Sequence, residues 1–215
     1  MRPIVMYDLE TGGLNWWPNT ENPSGKTFQM HPIIQIAAVV CDLDDNWKFI
    51  DKFEMKVRFD INACSPAALE INNYDPIIWE KEAGSPAVAM LAFSTFLKRF
   101  CFVKKISKKG HPYYVAMTGG HNIGGFDKPF LWAWYKSYGA FLPADYHVVD
   151  TMQMAINYEL ALGKKVFENY KLETLCSYFD IARPAETEHD ALADVKQTAL
   201  VGKTISSLMT AKEWK

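Results

Sequence analysis

The chain has 215 residues, 49% of them hydrophobic and 14% aromatic, enough to bury a sizeable core in one domain. A formal net charge of −2 excludes a generally cationic, histone-like nucleic-acid binder. It leaves room for an enzyme that meets phosphates through metal ions, acidic at its centre and basic only where a phosphate backbone runs. The four cysteines form no C-x-x-C pair, which argues against a zinc ribbon or a disulfide framework, and no apolar run is long enough for a bilayer. A soluble, cytoplasmic protein with reduced, mostly buried thiols is expected.

Residues 3–7, PIVMY, read as a short buried strand that runs into YDLETGG at 7–13. Asp8 and Glu10 stand two residues apart, so an extended chain turns both to one side and holds two like charges close together. Such a pair calls for a cation, although a solvated surface turn fits a lone D-x-E-T equally well. Residues 14–32, polar and rich in proline and glycine, read as a loop insertion. Trp16 and Trp17 in it suit either stacking on bases or a flap folded back on the core.

Two apolar runs, 33–43 and 46–59, follow with Asp44, Asp45 and Asn46 between them, the composition of a hairpin turn. Ser65 with Pro66, and Ser85 with Pro86, each pair an N-cap residue with a proline at the first helical position, so a short and a long helix are expected there. Residues 103–112 read as a basic loop in which Lys104, Lys105, Lys108 and Lys109 either track phosphates or are simply solvated. A fourth strand at 113–119, a helix from Asp127, a fifth strand at 146–150 and three further helices complete the chain. The pattern predicts one α/β domain over residues 1–215 with a mixed five-stranded central sheet flanked by helices. Asp150 is expected to cap the helix that follows it.

Two later stretches bear on the acid pair. In GGHNIGGFDKPF (119–130), a strand passes through glycines into a helix with Asp127 in its first turn, where an acid is favoured by the helix dipole in any case. In EHDALADV (188–195), His189 precedes a helix that carries Asp194. Each feature alone has an ordinary structural explanation.

Taken together and in order, D-x-E-T, N-x(4)-D ending in Phe126 and Asp127, and H-x(4)-D resemble the three motifs of the DEDDh (DnaQ-like) 3′–5′ exonucleases. That group includes replicase proofreading subunits, RNase T and oligoribonuclease. The middle motif has one more residue than the proofreading subunits usually show, a spacing nearer to the exonuclease domains of family B polymerases. Those domains place Tyr where this chain has His189.

The resemblance implies a ribonuclease H-like fold and a metal-dependent exonuclease acting on single-stranded 3′ ends, with DNA as the default polymer. An exoribonuclease of the RNase T or oligoribonuclease kind, or a non-catalytic replicase-associated module with a polymerase or replication partner, stays open. It further implies Asp8, Glu10, Asp127 and Asp194 as ligands to two Mg²⁺ or Mn²⁺ ions, with Glu10 and His189 as the catalytic pair and His189 the general base. Leu9, Thr11, Trp16, Trp17, Asn122 and Phe126 are the candidate substrate contacts. Phosphodiester hydrolysis asks for this chemistry. Two ions roughly 4 Å apart supply a nucleophile at neutral pH and relieve charge on the phosphate oxygens.

Overall fold

The computed structural model describes residues 1–16, 30–183 and 190–211. Among these, six strands and seven α-helices follow in the order β1 (Pro3–Thr11), β2 (Ile33–Asp42), β3 (Lys48–Lys56), α1 (Pro66–Ile71), α2 (Pro76–Glu82), α3 (Pro86–Lys98), β4 (Cys101–Ile106), β5 (Pro112–Gly120), α4 (Asp127–Ser137), β6 (Ala144–Asp150), α5 (Thr151–Leu162), α6 (Leu172–Tyr178) and α7 (Ala191–Ala211). The ends of the 14–32 segment are stitched together. His31 N–H donates to the Asn15 carbonyl at 2.8 Å, and Gly12 N–H donates to the Pro32 carbonyl at 2.8 Å.

β1 is the spine of the sheet. It pairs antiparallel with β2 along its whole length and parallel with β5 at Val5 and Met6. β3 extends the sheet beyond β2, joined through a 3-10 turn at Leu43–Asp45 and a left-handed Asn46. On the other side, β5 pairs antiparallel with β4 and parallel with β6. Ala116 is opposite residues of both β4 and β6, while Thr118 is opposite residues of both β1 and β6. β1 and β4 therefore share one edge of β5, and β6 takes the other.

The sheet has six strands where the sequence predicts five, because Cys101–Ile106 is an edge strand and not the end of a helix running into a basic loop. Lys104 and Lys105 lie on that strand; Lys108 and Lys109 lie in the turn that closes the hairpin. Lysines on an edge strand are the ordinary means of keeping it from pairing with another chain, and here they masked its alternation. The helix α2 also escaped the sequence reading. Its Asp75 carboxylate accepts from Ile77 and Ile78 N–H ahead of Pro76, the same start signal seen at Ser85.

The period of β1 decides where the layers go. Val5, Tyr7 and Leu9 pack with α3 and α4 around Phe93, Phe96, Phe130 and Tyr135, whereas Ile4 and Met6 pack with α7 around Leu192 and Val195. Asp8 and Glu10 continue the even set and so fall on the α7 side. α5 and α6 close over the far end of α7 through Ala155, Leu175, Val201 and Ile205.

Gly119 and Gly120 let three strands crowd together at the site end of β5. A Cβ on Gly120 would stand 2.8 Å from the Tyr7 carbonyl oxygen, and one on Gly119 would stand 2.7 Å from that of Val149. Gly120→Ala is therefore expected to cost about 1–3 kcal/mol of stability by overpacking against backbone. Gly124→Ala, whose Cβ would meet nothing nearer than 3.7 Å, should stay within about 0.5 kcal/mol. Thermal melts of the two variants against the parent check the pair; equal melting temperatures would contradict the close-approach account.

Candidate active site

Three elements bring acids to the C-terminal end of β1. Asp8 and Glu10 come from the strand, Asp127 from the first turn of α4 on the opposite layer, and Asp194 from the first turn of α7. Asp127 is 3% exposed and reaches across the strand end, where its Oδ1 accepts from the Leu9 N–H at 2.9 Å. Its place at a helix N-terminus favours the charged form, yet burial first and then the Asp8 charge push its pKa well above the usual carboxylate range.

The other acids are under the same pressure. Burial raises the Glu10 pKa to about 9, with Asp8, Asp194 and Asp127 adding to the shift. Burial also raises Asp8, to about 7, with Asp194 adding to it and Arg183 opposing it. Four carboxylates thus act on one another's charge in a desolvated pocket, and a single guanidinium answers them. Arg183 lies 3.3 Å from Asp194, both side chains being 14% exposed, and its Nε is buried with no hydrogen-bond partner among the described residues.

The carboxylates are neighbours without forming a ready-made cage. Among the described residues, no group of three or more His, Cys, Asp or Glu is arranged to hold an ion as it stands. The reason is visible in the contacts: Asp127 is turned onto the Leu9 amide and Asp194 onto Arg183.

The turn between β5 and α4 is held by an acid the sequence marked only as a helix cap. Asp150 does cap α5, accepting from Met152 N–H at 3.0 Å, and it also accepts from Asn122 N–H at 3.0 Å and Gly124 N–H at 3.3 Å. Asn122 is left-handed, with φ of 53°, and its carbonyl accepts from Gly125 and Phe126 N–H, which delivers Asp127 to the helix start. Next to it, His121 Nδ1 is 2.9 Å from Thr151 Oγ1; burial lowers its pKa, so it stands as a neutral member of the wall.

Several expected substrate contacts are placed differently. The Leu9 side chain belongs to the core, and what Leu9 presents to the site is its backbone N–H. Thr11 is buried, with its hydroxyl donating to the Gly13 carbonyl at 2.7 Å. β1 runs through to Thr11, which makes both residues strand interior. Trp16 is partly buried and packs against the core. Phe126 is half-buried against Phe130, with ring centroids 5.0 Å apart. Trp17 and His189 lie outside the described residues. Arg183 has no motif of its own, and sequence reasoning missed it.

With this geometry in view, solved structures can be compared. The chain matches E. coli Exonuclease I in complex with a dT13 oligonucleotide at a TM-score of 0.71 and 17% identity, covering 98% of this chain and 42% of that one. The fold is that of a nuclease. A zinc-bound Exonuclease I–ssDNA complex matches at 0.69 and 17% identity over the same shares, and cell-death related nuclease 4 at 0.68 and 15%, covering 96% of this chain and 64% of that one. The chain thus spans about two fifths of Exonuclease I and under two thirds of the second nuclease. These neighbours are DnaQ-like exonucleases of the ribonuclease H-like superfamily, the group whose motifs the sequence resembles. No protein-family model matches the chain, and no curated protein sequence does.

The charge cluster has a pH signature. Acids whose folded pKa lies above the unfolded value let the folded chain keep protons that the unfolded chain has lost, so their stabilisation is full below the unfolded values and is lost as pH rises toward the folded ones. For Asp8 and Glu10 that window runs from the unfolded values of 3.8 and 4.5 up to about 7 and about 9. In metal-free buffer, Glu10→Gln should leave the melting temperature unchanged at about pH 4 and raise it by about 3 °C or more at about pH 8. Thermal melts in chelator test this, and a variant no more stable than the parent at the higher pH would remove the argument.

Proposed function

We propose that this protein is a divalent-metal-dependent 3′–5′ exonuclease that releases nucleoside 5′-monophosphates from the 3′ ends of single-stranded DNA. The observation that carries the reading is the meeting of Asp8, Glu10, Asp127 and Asp194 as an undercompensated acid cluster at the end of β1, in a fold shared with nucleases. Another Exonuclease I structure with this fold holds a dA16 oligonucleotide.

The cluster suits a hard divalent cation. All four donors are carboxylate oxygens, the ligand class of Mg²⁺ and Mn²⁺. The raised pKa values of Asp8, Glu10 and Asp127 mark negative charge that Arg183 does not balance, and two ions would balance it. In the reading taken from the motifs, Asp8, Glu10 and Asp194 would hold one ion, and Asp8 with Asp127 the other. Bound there, the ions would supply a nucleophile at neutral pH and draw charge from the phosphate oxygens.

The rest falls to the chain's own groups. The Arg183–Asp194 ion pair offsets part of the repulsion among the acids. The Asp150 clamp on residues 122–124 keeps Asp127 at the strand end. His189, assigned by the third motif, takes the proton from the attacking water, a task suited to an imidazole that titrates near neutrality. The bond broken joins phosphorus to the 3′ oxygen of the preceding nucleotide, which leaves as an alcohol.

Digestion of matched 5′-labelled DNA and RNA single strands with Mg²⁺ or Mn²⁺ tests the reading. A ladder shortening from the 3′ end is expected, faster on DNA, with His189→Ala and Asp8→Ala each slower by about 10²-fold or more. No ladder on either polymer would refute the activity, and a faster RNA ladder would correct the substrate. Metal binding has a separate readout. Millimolar Mn²⁺ should raise the melting temperature of the parent but not of Asp8→Ala, and a flat response in the parent would count against the metal site.

A further inference from the structure

Beside the acid cluster, on the α4 face of the sheet, lies a cavity of about 560 Å³ that the proposed chemistry does not use. Its floor includes Tyr7 and its walls come from α4, the β4–β5 hairpin and the connection into β6. Three large rings on its lining are left well exposed: Trp132 at 53%, Phe141 at 62% and Tyr146 at 77%. Exposed aromatic surface gathered in one groove marks a binding site more often than chance.

Cations outnumber anions on the lining. Lys105, Lys128 and Lys136 face a single carboxylate, Asp145, in a chain whose formal net charge is −2. Asp145 is taken by Lys105 at 2.8 Å. Lys136 Nζ rests 4.8 Å from the centroid of Trp132, while Lys128 Nζ lies 3.8 Å from the centroid of Tyr146 and donates to the Tyr146 carbonyl at 2.6 Å. Flat π faces interleaved with cations fit a ligand that alternates flat rings with anions.

Single-stranded nucleic acid has that alternation, and the groove is placed to receive it. Tyr7 immediately precedes Asp8, and Lys128 immediately follows Asp127, so the cavity is built on the same strand and the same helix that carry two of the acids. We propose that this groove is a second contact surface for the single strand, holding nucleotides on the 5′ side of the end being cleaved. Bases stack on Trp132, Phe141 and Tyr146, and phosphates displace Lys128 and Lys136 from the rings they cover. This rests on the exonuclease reading. It adds a reason for affinity to grow with strand length, which the acid cluster alone does not supply.

Fluorescence anisotropy with labelled oligothymidylates of about 4 and about 20 nucleotides tests it, in an Asp8→Asn background with Mg²⁺ so that binding is read without cleavage. The background protein should bind the longer strand more tightly. A Trp132→Ala, Tyr146→Ala double variant should lose roughly tenfold in affinity for it, and so bind it little better than the short one. Lys136→Glu, at an exposed position, should lower the slope of log affinity against log salt by about 1 or more. Unchanged affinity and salt slope in both variants would overturn the groove while leaving the cleavage ladder intact. A double variant that binds the long strand normally but no longer binds an acidic peptide ending in Phe would overturn it in favour of a protein partner. If the background protein binds neither oligomer and the parent yields no ladder, the exonuclease reading fails and the groove fails with it.

Discussion

Everything at the functional end of this molecule depends on the cost of keeping four carboxylates in one poorly solvated place. Burial and mutual repulsion both push Asp8 and Glu10 toward the protonated form, and Arg183 offsets only part of the pressure. A protein selected for stability alone would have no reason to place these groups so. Cations of higher charge would relieve that pressure, and the same desolvation that penalises bare carboxylates would then strengthen each ligand contact. Arg183 reads naturally as the partner that makes the metal-free state tolerable.

The scaffold pays for this by rigidity at three points. The parity of β1 turns Asp8 and Glu10 to the α7 side while Leu9 anchors the opposite layer and lends its amide to Asp127. Glycines at 119 and 120 bring β5 and β6 close enough for Asp150 to reach the 122–124 turn. Thr151, fully buried, ties His121 and the Gly120 carbonyl to the start of α5. Each acid is thus held by an element whose own packing is independent of the charge cluster.

The two faces of the sheet divide the work. On the α7 face gather Asp8, Glu10 and Asp194, the acids proposed to hold cations. On the α4 face the groove is aromatic and basic, the surface proposed to hold the strand that is not being cut. One strand, β1, contributes to both, with Tyr7 to the groove and Asp8 to the cluster, because successive side chains leave a strand on opposite sides.

That alternation is also what made so much of the site legible. Local rules sufficed wherever one element settles the matter: the facing of Asp8 and Glu10 from their spacing, the start of α3 from Ser85 and Pro86, and the capping by Asp150 of the helix behind it. The edge strand β4 was hidden because Lys105 takes a partly buried position of its alternation, where Asp145 from β6 pairs with it, so the polarity of the run does not follow its burial. Arg183, the second role of Asp150, the burial of Leu9 and Thr11, and the groove around Trp132 and Tyr146 were beyond the sequence for a different reason. Each is a meeting of residues from separate elements, such as positions 183 and 194 or 128 and 146, and only the packing of the sheet against its helices decides which distant side chains share a pocket. By itself the sequence determined which residues could bear the chemistry and which way each strand would turn them; the tertiary structure decided which charges would have to live together.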